Sequence, residues 1–158
     1  MEIEFNKGRK VMKNIKVKEA RDLITLRPSI ISEEVPIQEV VKTIIDDPKH
    51  RALYVVDKNS KLIGIIDLRR LARHIFPHFF EEDLIGRGII DLVSSETAKD
   101  LIPHPPACVT DDDDLETAFG KMMENRLEEI PVVDKDMKVV GDLNLLELFK
   151  VWMRGESR

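Results

Sequence analysis

Val55-Val56-Asp57-Lys58 and Val132-Val133-Asp134-Lys135 are one four-residue phrase written twice, 77 positions apart. Each copy ends a β-branched run and leads through a short polar turn, Lys58-Asn59-Ser60 or Lys135-Asp136-Met137. A second apolar run with one glycine follows, Leu62-Ile63-Gly64-Ile65-Ile66 or Val139-Val140-Gly141-Asp142-Leu143. Two such runs around a polar turn predict a hairpin.

The duplication extends outward from these hairpins. Downstream, Leu68 and Leu71 fall on Leu145 and Leu148. Upstream the offset becomes 78, placing Ile37, Val40 and Ile44 on Leu115, Ala118 and Met122, Ile30-Ile31 on Cys108-Val109, and Ser32 on Thr110. One extra residue in the Asp46-Asp47-Pro48 loop accounts for the change. At the same offset, Ala20-Arg21-Asp22-Leu23-Ile24 matches Ala98-Lys99-Asp100-Leu101-Ile102. Self-similarity over this length is the signature of a tandem repeat.

Each copy predicts a short helix, a very short strand, a helix, two strands and a last helix. Ser32-Glu33-Glu34 with Pro36, and Thr110 through Asp114, are helix-start residues. Asp67 and Asn144 are N-caps for the last helix, with Leu68, Leu71, Ala72 and Ile75, or Leu145, Leu148, Phe149 and Trp152, expected inward. The fold class is α/β, with two β-α-β-β-α repeats. Each is too small to bury both faces of its own sheet, so the two are expected to pack sheet to sheet about a pseudo-twofold axis. The expected divisions are an N-terminal extension (1–17), repeat 1 (18–76), a helical connector (77–95), repeat 2 (96–153) and a C-terminal tail (154–158).

Composition narrows the function classes. With 158 residues, 42% of them hydrophobic, the chain can bury a core, which argues against disorder. No apolar run approaches the ~20 residues that span a bilayer, so no membrane insertion is expected. Met1-Glu2-Ile3-Glu4-Phe5 lacks the features of a secretory signal. A single cysteine, Cys108, excludes an internal disulfide and a multi-thiolate zinc site, and points to a cytoplasmic protein. A net charge of −5 gives no support for nucleic-acid binding. Lys7, Arg9, Lys10, Lys13, Lys16 and Lys18 read as a solvated face.

Ile130-Pro131-Val132-Val133-Asp134 with Val139-Val140-Gly141 resembles the core signature of cystathionine-β-synthase (CBS) domains. Two in tandem form a Bateman module. The resemblance covers roughly residues 18–153 and departs mildly in the first copy, where Tyr54 stands in place of the family's usual Pro. It implies a stand-alone regulatory module rather than an enzyme, with no catalytic residues. It also implies homodimerisation, a separate and unidentified effector protein, and an adenine nucleotide or adenosine derivative bound in clefts between the repeats. No tightly bound cofactor is expected. The ligand types implied are AMP, ADP, ATP or S-adenosylmethionine, with Mg²⁺ as a possible companion of phosphate.

In ligand-binding members, the glycine of the last strand leads to a hydroxyl residue and, three positions later, an Asp that takes the ribose diol. The matching positions are Asp67 and Arg70 in the first repeat and Asn144 and Glu147 in the second. Asp67 sets a negative charge where phosphate would sit, and Arg70 can offset it but cannot accept from a diol. His50 and Arg51 match a basic stretch that holds phosphate in some members. Asn144 is a neutral cap that can also donate, and Glu147 keeps a carboxylate. Glu128 and Glu129 replace His50 and Arg51, which favours an uncharged or cationic adenosine derivative there, or phosphate carried with Mg²⁺. The base is expected against the short strands, at Ser29-Ile30 and Ala107-Cys108. Ile30 and Cys108 are also expected to serve the core. Against all this stands a bland reading, in which Asp67 and Asn144 are plain caps and Arg70 and Glu147 are surface residues. It matches a ligand-free CBS interaction module acting through dimerisation and its helical surfaces.

Other constellations are weaker. His74 and His78 have helical metal-ligand spacing beside Glu81 and Glu82, but Pro77 breaks the helix and no third ligand follows, so no metal site is expected. Phe76, Phe79 and Phe80 read as packing residues of the connector. Asp111 through Asp114 lack the glycine and terminal Glu of a calcium loop and read as helix-capping acids. Cys108 has only His104 nearby, across Pro105-Pro106, and lacks the setting of a nucleophile.

Overall fold

The computed structural model describes residues 10–24, 27–80, 96–102 and 105–156. In chain order the elements are α1 (Val17–Ala20), β1 (Ile30–Ser32), α2 (Ile37–Asp46), β2 (Ala52–Val56), β3 (Leu62–Asp67) and α3 (Leu68–Ile75). A 3₁₀ turn at Pro77–Phe79 and another at Ala98–Leu101 precede β4 (Val109–Thr110), α4 (Leu115–Glu124), β5 (Glu129–Val133), β6 (Val139–Asn144) and α5 (Leu145–Glu156). Of the expected connector, 81–95 lie outside the described residues, as do Glu81, Glu82, His104 and the first nine residues.

The chain forms two compact units, Ser29–Pro106 and Met1–Pro28 with Ala107–Arg158. Each holds one three-stranded sheet, in the order β1-β2-β3 or β4-β5-β6. The short first strand runs parallel to the second, and the second and third form the hairpin. The two hairpins break register at the same place, between Val55 and Val56 and between Val132 and Val133.

The repeated aspartates explain the repeated turns. Asp57 Oδ1 accepts from the backbone N–H of Asn59 (2.8 Å) and Lys61 (3.0 Å), and Asp134 Oδ1 accepts likewise from Asp136 (2.8 Å) and Lys138 (3.0 Å). Such Asx bonds hold a tight turn without help from a distant residue. The third turn residue is left-handed in both, Ser60 at φ 63° and Met137 at φ 62°.

In the first unit, Ile31, Val40, Ile44, Leu53, Val55, Ile66, Leu71, Ala98 and Leu101 form the core. The second unit buries the corresponding Val109, Ala118, Met122, Ile130, Val132, Leu143 and Leu148, with Val17 and Ala20 of α1. The residue of each short strand that turns inward is therefore Ile31 or Val109. Ile30 is exposed and Cys108 half-buried, which corrects their expected core role, because alternation along a strand admits only one of two neighbours. Similarly, Leu148 and Val151 are the buried stripe of α5, while Phe149 and Trp152, expected inward, are exposed.

The helix that opens each repeat packs in the unit of the other repeat's sheet. Val17 N donates to Asp113 O and Lys18 N to Asp111 O, and Leu115 N donates to Ile15 O. Ala98 N donates to Val35 O, Lys99 N to Glu33 O, and Ile37 N to Glu96 O in the same manner. These bonds equate Val17 with Ala98, an offset of 81 rather than 78. The register read from Ala20 and Ala98 is thus three residues out for this helix. The slip is close to one helical turn, so it keeps the inward face: Val17 and Ala20 are buried in one copy, Ala98 and Leu101 in the other. The segment from helix to strand is three residues longer in the first copy.

The glycines of β3 and β6 support the corrected register. A Cβ on Gly64 would collide with the Ile102 side chain, and one on Gly141 would lie 2.6 Å from Arg21 Nη1. Ile102 and Arg21 are themselves equivalent at an offset of 81. Each glycine lets the segment after the first helix lie close against its sheet.

Candidate functional site

Parallel pairing of the first two strands and antiparallel pairing of the next two bring four chain segments to one end of each sheet. In the first unit, Ile30 pairs with Tyr54 and Ala52 with Asp67. Ser29-Ile30, His50-Arg51, Asp67 and the start of α3 therefore share an end. In the second, Val109 pairs with Val132 and Glu129 with Asn144, gathering Ala107-Cys108, Glu128-Glu129, Asn144 and the start of α5. Leu145 N donates to Glu128 O at 3.0 Å. Within each unit the expected site residues do come together; the corner is where a helix N-terminus meets the sheet edge.

The two corners differ in chemistry. At the first, the Asp67 side chain caps α3 by accepting from Arg70 N at 2.8 Å. The bond is to the backbone, so the Arg70 guanidinium is not used by the cap. Its Nε is buried without a hydrogen-bond partner among the described residues, an arrangement that costs about 1–3 kcal/mol for such a donor. His50 is buried and Arg51 exposed.

At the second corner the cap is reciprocal. Glu147 N donates to Asn144 Oδ1 (2.9 Å), and Asn144 N donates to Glu147 Oε1 (3.2 Å), which is a capping box with Asn as the cap. Glu147 Oε2 accepts two further bonds, from Leu23 N at 2.9 Å and Ile24 N at 3.3 Å. Glu147 is wholly buried. Burial pushes its carboxyl up to about 7, and the nearby Asp142 charge adds to the rise, against the opposing pull of the three amides. Glu129, Asp142 and Asn144 are also buried, and Glu128 is exposed.

The stretch Arg21–Ile24 after α1 forms a strap over this corner. The Arg21 guanidinium grips Asp111 through Nε (2.7 Å) and Nη2 (3.4 Å), meets Asp22 (3.0 Å) and donates to Val140 O (3.2 Å). The Asp111 hydrogen bond raises its pKa against the effect of burial. Lys150 Nζ donates to Leu23 O at 3.2 Å. Sequence reasoning passed over Arg21 because the shifted register aligned it with Lys99. The signal available was Gly141, whose missing side chain marks a close approach.

The remaining expectations find ordinary neighbours. His74 lies 2.6 Å from Glu96, while the His78 ring tilts against Phe79 with centroids 4.3 Å apart. Asp114 caps α4 through Thr117 N (2.7 Å), and that bond lowers its pKa. Asp113 accepts from Thr110 N, and Asp112 meets Lys18. Burial pushes the Cys108 thiol up, away from the reactive thiolate, and Lys121 Nζ bonds to its carbonyl at 2.9 Å.

The duplicated fold defines a tandem pair of small α/β domains. The CBS domain family matches residues 20–77 and 98–154, and the chain belongs to that family. A CBS domain-containing protein from Thermotoga maritima is 34% identical, with 91% of this chain and 98% of that one covered and a TM-score of 0.76. Two further structures share the fold. The CBS domain pair of protein MJ0100 was solved with 5′-methylthioadenosine and S-adenosyl-L-methionine; it is 19% identical over 91% of this chain and 98% of that one, with a TM-score of 0.68. CBSX2, solved with AMP, is 20% identical over 92% of this chain and 100% of that one, with a TM-score of 0.69. Among curated relatives, inosine-5′-monophosphate dehydrogenase of Methanocaldococcus jannaschii is 27% identical over 130 residues, 75% of this chain. The chain spans about a quarter of the length of the curated relatives it matches, 23% of that enzyme. No helix among the described residues is long and apolar enough to cross a membrane.

Proposed function

We propose that this chain is a sensor module that binds an adenine nucleotide or adenosine derivative and modulates a separate partner protein in the cytoplasm. The observation that carries the reading is the sheet-end corner, present in both units of a CBS-family chain, where a helix N-terminus, the short first strand and polar side chains converge. A helix N-terminus offers free N–H groups to an anion. At the first corner, Arg70 and Arg51 supply cations beside the His50 ring, and the Arg70 Nε, without a partner among the described residues, supports an anionic ligand group there. At the second, Asn144 and Glu147 supply ribose contacts, and Glu128 and Glu129 favour a ligand that is neutral, cationic or paired with Mg²⁺. Ser29-Ile30 and Ala107-Cys108 flank the base. Ligands of this class occur in the solved CBS-domain structures of MJ0100 and CBSX2.

The exposed stripe Leu146, Phe149, Trp152 and Met153 on α5 supports homodimerisation, because so many large apolar side chains on one helix face are costly in water. Ligand binding then acts by population shift, favouring one arrangement of the dimer.

The test is calorimetric titration with AMP, ADP, ATP, adenosine and S-adenosylmethionine, each with and without Mg²⁺. Micromolar binding of at least one is expected, with 2′,3′-dideoxyadenosine about tenfold weaker than adenosine for want of the diol. Silence across the panel, with no ligand carried through purification, overturns the reading. It would favour the ligand-free interaction module, which the complete burial of Glu147 supports.

A further inference from the structure

Glu147 presents a difficulty for any ligand that is to reach it. Its side chain is wholly buried, and its oxygens already accept from three backbone amides. One of these, Asn144 N, belongs to the cap of α5 itself. The other two, Leu23 N and Ile24 N, belong to the strap, which is remote in sequence. A ribose diol offers two O–H donors, the same number that Leu23 and Ile24 supply to Oε2. We propose that the strap Arg21–Ile24 is an autoinhibitory clasp, which occupies the Glu147 carboxylate with its own amides and is released when a nucleoside diol takes them over. The inference rests on the reading that an adenosine derivative contacts this corner, and it adds how that binding is regulated.

The strap is built to hold and to let go. Besides the Glu147 bonds, it is fastened by the Arg21 fork on Asp111, by Arg21 Nη1 on Val140 O and by Lys150 on Leu23 O. All these are polar contacts near the surface, and Ile24 is exposed rather than packed into the core. The equivalent site in the first unit carries Arg70, which cannot accept amide bonds, so this form of clasp is confined to the second. A ligand that must open the strap binds with an apparent affinity reduced by the closed fraction. Weakening the strap without touching Glu147 should therefore tighten binding.

The test uses the full chain, labelled for amide exchange by NMR, with adenosine and with 2′,3′-dideoxyadenosine as probes. Adenosine at saturation is expected to speed exchange at Leu23 and Ile24 by about tenfold or more, while the dideoxy compound leaves them slow. Arg21→Ala and the milder, surface Lys150→Ala are each expected to tighten adenosine binding, on the order of three- to tenfold. Binding seen only in these variants would equally support the clasp. Adenosine bound with Leu23 and Ile24 as slow as before, or slower, overturns the clasp and leaves the sensor reading standing. No adenosine binding by the native chain or either variant overturns the clasp, and the sensor reading falls with it only when the whole nucleotide panel is silent too. Should Arg21→Ala fail to fold, the exchange measurement on the native chain decides.

Discussion

At the start of α3, Asp67 accepts one backbone bond and the residue three places on is a cation. At the start of α5, Asn144 and Glu147 cap one another, and the spare oxygen of Glu147 reaches across to the strap. The two helices occupy equivalent places in a duplicated fold, and their sheets share strand order, register and even the position of the hairpin irregularity. Duplication therefore fixes where a corner is but not what it does. A single exchange of carboxylate for guanidinium turns a partner for backbone amides into a partner for anions. One corner keeps a polar donor, Arg70 Nε, buried and without a partner among the described residues, and the other holds a carboxylate buried and engaged by three amides.

The sharpest way to break this comparison is with pH. The folded chain holds a proton on Glu147 more tightly than the unfolded chain, with a pKa near 7 against the ordinary carboxylate value. Its contribution to stability is complete below about pH 4.3 and is lost as pH rises through about 7. Chemical denaturation from pH 5 to 8 should show a fall of roughly 3 kcal/mol from this group. Glu147→Gln should flatten it, and Arg70→Gln should leave it in place; an unchanged slope in Glu147→Gln would remove Glu147 as its source.

Next in size are the two close-approach glycines. Gly64→Ala drives a methyl into the β-branched Ile102, which has little rotamer freedom, and should cost about 3 kcal/mol. Gly141→Ala meets the Arg21 guanidinium, which can swing aside, and should cost about 1 kcal/mol. Equal thermal shifts for the pair would contradict the difference between the two approaches.

Effects smaller than that of Gly64→Ala come from the caps. Asp67→Ala should cost about 1 kcal/mol and Asn144→Ala somewhat more, about 1.5 kcal/mol, because the second cap fixes Glu147 as well. Urea midpoints of the two variants would rank them. The smallest difference lies in the turns. Ser60→Gly and Met137→Gly should each stabilise by roughly 0.5–1 kcal/mol, since both residues are left-handed without being glycine. Similar gains in melting temperature are expected, for here the two copies do not differ.

Much of the fold was legible because its signals are local and came twice. The paired phrase around Asp57 and Asp134 announces a hairpin that those same aspartates hold through bonds two and four residues away. Asp67, Asn144 and Asp114 announce helix starts for the same reason. The first helix was read in the wrong register because burial at i and i+3 survives a slip of three residues. On α5, two apolar stripes exist, Leu148 with Val151 and Phe149 with Trp152, and periodicity alone cannot say which turns inward. Of the candidate site, the corner residues were legible as positions in a repeated motif. The strap was not, since Leu23 and Ile24 act through backbone amides, which no side chain advertises.

The amino-acid sequence by itself determined the duplication, the order of elements, the hairpins and the membership of two polar corners. These follow from local periodicity, turn chemistry and the echo of one half in the other. Tertiary structure alone decided that each opening helix packs in the unit of the other repeat's sheet, that Arg21 lies over Gly141, and that Glu147 is engaged by residues over 120 positions away. The physical reason is that a buried carboxylate must find donors wherever the folded chain presents them, and those donors are set by packing rather than by neighbours in sequence.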